Sequence, residues 1–225
     1  MAFIDDLKTD QRTQILVGGI IFFAIAFPVY FSFAAGEVDS YSSSGPVGTY
    51  EVSGEYSYHE IGSGSETIGD GETANVMANS DAAGDSIKGK NIVGVRATLT
   101  FTDGETQSGL GCAAAQGPQD DDVSGHIMYA QMEQSSQLLS GESVMIEWHD
   151  SSILGTTVTN MSEGAIELML SGMGLGLGEH SLDISVSVNT GGALSPTCSS
   201  NDDGETVSYV IELISLEYTI TMVEE

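Results

Sequence analysis

Basic residues are nearly missing from this chain. Its 225 residues include five Lys and Arg against 33 Asp and Glu, a formal net charge of −28. That balance argues against binding nucleic acid or an anionic lipid surface, since both require a positive face. Catalytic signatures are missing too. There is no Gly-x-Ser-x-Gly elbow and no His-Glu-x-x-His pair, so the common hydrolase templates do not apply. The glycines at 172, 174, 176 and 178 lack the Gly-x-Gly-x-x-Gly spacing of a dinucleotide loop. They read as a turn or a bulged strand start. Neither Cys112 nor Cys198 is followed by a nearby His, as a blue-copper site would need. No internal repeat is present.

Charge of either sign is absent from residues 13–36. Within that gap, residues 15–35 form one apolar run. As a helix it would span roughly 30 Å, the thickness of a bilayer's hydrocarbon core. Lys8 and Arg12 precede it, and the next base is Lys88. Bases close to a span set its orientation, so residues 1–14 are expected inside the cell and the C-terminal part outside. Pro28 lies within the run; membrane helices tolerate proline better than soluble ones do. A second reading makes the run a cleaved signal peptide, cut after Ala34, although the run is long for that purpose. A type IV pilin helix is a third, but the base-then-Gly peptidase site is missing. The first two readings place residues 36–225 outside the cytoplasm.

Removing Asp5, Asp6, Asp10, Lys8 and Arg12 leaves this outer part 30 acids and 3 bases, a net of −27. Hydrophobic residues make up 40% of the chain, and much of that alternates with polar residues, which argues for a folded domain. Residues 36–48 read as a Ser/Gly linker. Residues 49–225 are expected to form an antiparallel β-sandwich or jelly-roll-like domain.

Particular strands are legible. Residues 91–101 are the clearest, with Val93, Val95, Ala97, Leu99 and Phe101 on one side. Tyr50, Val52, Tyr56 and Tyr58 suggest a strand pair broken near Gly54. Further strands are expected over 126–132, 143–148, 153–159, 165–170 and 179–189. A short helix within 160–173 is the alternative for that stretch. Residues 61–72 and 104–125 read as loops. Along 206–222 the apolar phase flips at Leu213-Ile214, which predicts a bulge or a sheet crossover there.

The acids suggest a cation site. Asp120, Asp121 and Asp122 lie shortly after Cys112; Asp202, Asp203 and Glu205 lie just after Cys198. In an oxidising compartment the two cysteines most simply pair. A bridge would tether both acidic loops, and their carboxylates could supply the oxygens that Ca²⁺ takes from mobile loops. No cofactor is otherwise required. The EF-hand spacing is absent, and solvated acidic turns are the plain alternative. His59, His126, His149 and His180 are scattered and read as surface or edge residues. Asn160-Met161-Ser162 is the one glycosylation sequon.

The phrase Val95-Arg96-Ala97-Thr98-Leu99-Thr100-Phe101-Thr102-Asp103, with the acid-rich, Lys-poor composition, resembles the single-anchor β-sandwich envelope proteins of marine or halophilic archaea. The resemblance implies an extracytoplasmic binding or structural module held in the cell membrane. Two other roles are consistent with the residues: an accessory subunit of a membrane complex, with Gly18-Gly19 allowing close helix packing, and a tethered or secreted hydrolase using a carboxylate pair. The absence of catalytic motifs gives enzymatic activity little support.

Overall fold

The computed structural model describes residues 45–102, 121–189 and 203–223, the backbone of two short strands at 106–109 and 198–201, and Phe23 and Phe27. The chain divides into two compact units, one of residues 1–47 with 162–168, the other of 48–161 with 169–225. Within the first, Phe23 and Phe27 are helical and their rings stack with centroids 5.3 Å apart. Among the described residues no helix is long and apolar enough to cross a membrane. The run 15–35, apart from those two phenylalanines, lies outside them.

The second unit is mainly β. Its strands are β1 (Val47–Gly69), β2 (Thr73–Asn79), β3 (Ile92–Thr100), β4 (Thr106–Gly109), β5 (Asp122–Tyr129), β6 (Met132–Leu138), β7 (Ser143–Glu147), β8 (Thr156–Ser162), β9 (Glu179–Ser187), β10 (Cys198–Asn201) and β11 (Gly204–Met222). One sheet has the order β7-β3-β11-β1-β8, the other β2-β9-β5-β6, and β4 pairs with β10 as a ribbon. Alternation explains the layering, because residues two apart share a face. Val95, Ala97 and Leu99 of β3, with Val207, Ile211 and Leu213 of β11, share one buried cluster with Val123 and Ile127 of β5 and Leu182, Ile184 and Val186 of β9. The two sheets therefore pack face to face as a sandwich. At Gly125 they come so close that a Cβ would lie 3.1 Å from Val144 Cγ1 and 3.3 Å from Leu99 Cδ1.

Several expectations are corrected. Residues 61–69 are not a loop but the second half of β1, paired with β11 from Gly62↔Ile211 to Gly69↔Gly204. Nor is β1 broken at Gly54; it runs on, with Glu60 and Gly62 flanking a bulged Ile61. The supposed 104–125 loop contains β4 and the start of β5. Met132 does not end its strand; Ala130, at φ 55°, turns the chain into the unexpected β6. The strand expected from Ile153 begins at Thr156, because Ser151–Ile153 forms a 3₁₀ turn. Strand β2 had no sequence signal strong enough to find it.

Residues 165–170 are helical, as the alternative reading has it: α1 spans Glu163–Leu170. The Ser162 hydroxyl accepts the Ala165 N–H at 3.3 Å, the bond of an N-cap. At the other end, the Asn91 side-chain amide donates to Leu170 O.

The phase flip at Leu213-Ile214 coincides with an expected bulge, and the neighbouring strands carry it. Strand β11 carries no inserted residue. The extra residues sit on its neighbours, Ile61 in β1 and Val93 in β3. Ile214 and Leu216 are buried but lie outside the shared cluster. That end of the five-stranded sheet is thus covered on both faces, and a strand buried on both faces loses its alternation.

Candidate functional site

Acids of both stretches lie at one end of the sandwich, joined there by the turn between β1 and β2. Asp70, Gly71 and Glu72 connect β1 to β2, which lie in different sheets. Asp70 N–H donates to Asp203 O at 3.3 Å, while Asp70 Oδ1 accepts the Val188 N–H at 3.0 Å. Gly71 N–H donates to Val186 O, and Val186 N–H donates to Glu72 O. The adjacent Asn189 N–H donates to Asp121 Oδ1 at 2.7 Å. The turn thus ties the start of β11, the end of β9 and the residue preceding β5 to one another. Gly204 makes this closeness achievable: it holds φ +135°, and a Cβ there would lie 2.1 Å from Ile68 O.

A cleft of about 280 Å³ opens here, lined by Gly71, Glu72, Asp122, Ser124, Gln137 and Ser185 among others. Asp122 is exposed and accepts a hydrogen bond from Gln137 Nε2. Glu72 Oε2 accepts the Gly69 N–H at 3.4 Å. Asp203 is exposed, whereas Asp121 and Glu205 are buried, at 6% and 3% relative exposure. Asp120 and Asp202 lie outside the described residues. Both acidic stretches therefore reach the same end, and Asp70 and Glu72 join them. Among the described residues no three carboxylate, imidazole or thiolate groups are gathered as a ready metal cage. Cys112 also lies outside the described residues. Cys198 opens β10 opposite Gly109, three positions before Cys112 in the chain. Asn160 is exposed on β8 with φ 59°, a left-handed conformation that Asn tolerates better than most residues.

The histidines have structural partners. His59 Nε2 lies 2.8 Å from Ser215 Oγ, and His149 Nε2 lies 2.9 Å from Tyr56 OH. His126 stands between Glu133 and Asp183 at 3.5 and 3.7 Å. His180 corrects the surface reading: it is 1% exposed and stacks on Tyr129 with ring centroids 4.6 Å apart. Its Nε2 lies 3.0 Å from Gly176 O. A carbonyl only accepts, so Nε2 carries the hydrogen. The bare Nδ1 is buried and has no hydrogen-bond partner among the described residues. A proton there would place a charge among apolar groups, and burial accordingly lowers the His180 pKa, with the Gly176 bond opposing.

The sign of the resulting pH dependence follows. The unfolded chain holds this proton more tightly than the folded one, so stability falls as pH drops below the ordinary histidine range. His59 is shifted in the same direction by burial and by Lys90. Between pH 7 and pH 5 the unfolding free energy is expected to decline, and His180→Gln to flatten the decline. An equal slope in the variant would remove His180 as its source.

No protein-family description and no curated protein sequence matches the chain.

Proposed function

We propose that this chain is a single-pass membrane protein whose acidic β-sandwich head works outside the cytoplasm as a binding or structural module of the cell envelope. The observation that carries the reading is the uncharged run at 15–35, preceded by Lys8 and Arg12 and followed by residues 36–225 with a net charge of −27. Phe23 and Phe27, one helical turn apart and each 54% exposed, are consistent with a lipid-facing stripe. The head's two-sheet core and its surplus of acids suit a folded domain in a salty exterior. A Cys112–Cys198 bridge and a glycan on Asn160 belong to the same reading.

The test is fractionation of cells expressing the full chain. The protein is expected in the membrane pellet after alkaline carbonate washing, with its head digested when protease is added to intact spheroplasts. Recovery in the soluble fraction, or protection of the head from external protease, would overturn the proposal.

For the acid end we propose a calcium site built by Asp120, Asp121, Asp122, Asp202, Asp203 and Glu205. Bound Ca²⁺ would stabilise the folded state by mass action. Millimolar Ca²⁺ is expected to raise the thermal midpoint more than the same ionic strength of NaCl. Equal midpoints in the two salts would end the calcium reading.

A further inference from the structure

The head has three bases, and two of them lie in one window, Lys88-Gly89-Lys90. That window forms one wall of a pocket of about 320 Å³, whose other wall is the glycine loop at 174–177. This volume sits at the small end of the range for ligand sites. Ile87, Ile92 and Leu175 give the lining an apolar part, and Leu177, 60% exposed, extends it outward.

Both walls are fixed from behind. Ile92 O accepts the Trp148 Nε1–H at 2.9 Å. Tyr129 OH accepts the Gly176 N–H at 2.7 Å and donates to Leu177 O at 3.3 Å. Ser80 exchanges two hydrogen bonds with Gly178. On the lysine wall, Lys90 N–H donates to Ile87 O. A pocket whose walls are already held loses little freedom when a ligand enters.

Charge selects the ligand. Lys90 is ion-paired with Glu217, whereas Lys88 has no acid partner among the described residues. The rim therefore carries a net charge near +1 on a head that is otherwise strongly negative. One positive charge beside an apolar floor matches a monoanion with a short hydrocarbon tail better than a dianion or a cation. We propose that this pocket binds a small aliphatic carboxylate, its charged end at Lys88 and Lys90 and its tail against Ile87, Ile92 and Leu175.

Trp148, the chain's single Trp, is a built-in reporter. Its Cζ2 lies 3.0 Å from the position a Cβ would take on Gly176, which sits between the pocket-lining Leu175 and Leu177. The full-length chain in phosphatidylcholine nanodiscs would be titrated with 6-bromohexanoate, whose bromine quenches indole emission. Expected is saturable quenching that hexanoate reverses and that 6-bromohexan-1-ol does not reproduce. The double variant Lys88→Glu, Lys90→Gln is expected to weaken it at least about tenfold. Leu177→Asp, which keeps both lysines, should weaken it too. Linear quenching without saturation, or equal quenching by the alcohol, overturns the proposal. So does unchanged affinity in either variant with a wild-type thermal midpoint.

Discussion

Alanine at position 172 lowers the stability of the head by about 3 kcal/mol or more, at the upper end of what overpacking usually costs. A Cβ on Gly172 would lie 1.7 Å from Ile92 O and 2.7 Å from Ile92 C, and both belong to strand backbone. A flexible side chain could swing away; the first residue of β3 cannot without disturbing its ladder. The same carbonyl accepts the Trp148 indole N–H, and Gly172 N–H itself donates to Asn91 Oδ1 at 2.7 Å. Moving the loop would therefore break the bond to Asn91, and moving the Ile92 carbonyl would break the bond to the chain's single Trp. Chemical denaturation followed by Trp148 emission measures both effects. Gly155→Ala is the control. Gly155 has φ +72° but open space around it, so its cost is confined to left-handed strain, about 1–2 kcal/mol. Equal losses in the two variants would show that steric contact is not what Gly172 relieves.

Leu182→Ala is expected to cost about 2–5 kcal/mol, the range for emptying a leucine site in a packed core. Leu182 is fully buried in the middle of β9, opposite Val76 of β2 and Ile127 of β5. Both ladder neighbours of Leu182 are aliphatic, so neither offers a polar group that could recruit water into the cavity. Met77 lies beside Val76 on β2 but is 57% exposed. Met77→Ala should change the unfolding free energy by less than about 0.5 kcal/mol. A large loss at 77 with a small one at 182 would mean that β2 and β9 face the opposite way.

The contrast between those residues shows which parts of the fold the sequence could reveal. Strand β9 alternates Leu182, Ile184, Val186 with polar neighbours, and β3 does much the same, so both are legible at a glance. Strand β6 is Met-Glu-Gln-Ser-Ser-Gln-Leu, an edge strand with little apolar content. Its place depends on hydrogen bonds to β5 rather than on burial. The second half of β1 is harder still. Its glycines read as a loop, yet Gly64 leaves room for a distant partner: a Cβ there would lie 2.5 Å from the hydroxyl oxygen of Tyr209, its partner on β11. A glycine that makes room for a tyrosine far along the chain cannot be told from a flexible one by local composition.

The candidate site was legible in the same partial way. Asp121, Asp122, Asp203 and Glu205 stand out in the sequence as clusters. Asp70 and Glu72 were hidden by the loop reading, because their partners Val186, Val188 and Asp203 are remote in sequence. His180 was hidden for the opposite reason. A histidine flanked by Glu179 and Ser181 looks polar until β9 assigns its side chain to the interior.

Strand β11 lies between β1 and β3 in the larger sheet, and neither of those pairs with the other. Tyr50 waits for Met222, and Leu99 for Tyr209. A growing polypeptide thus cannot zip up this half of the sandwich piecemeal: its keystone arrives only when residues 204–222 have emerged. Such distant pairings make for slow acquisition of structure and leave bare strand edges in the interim.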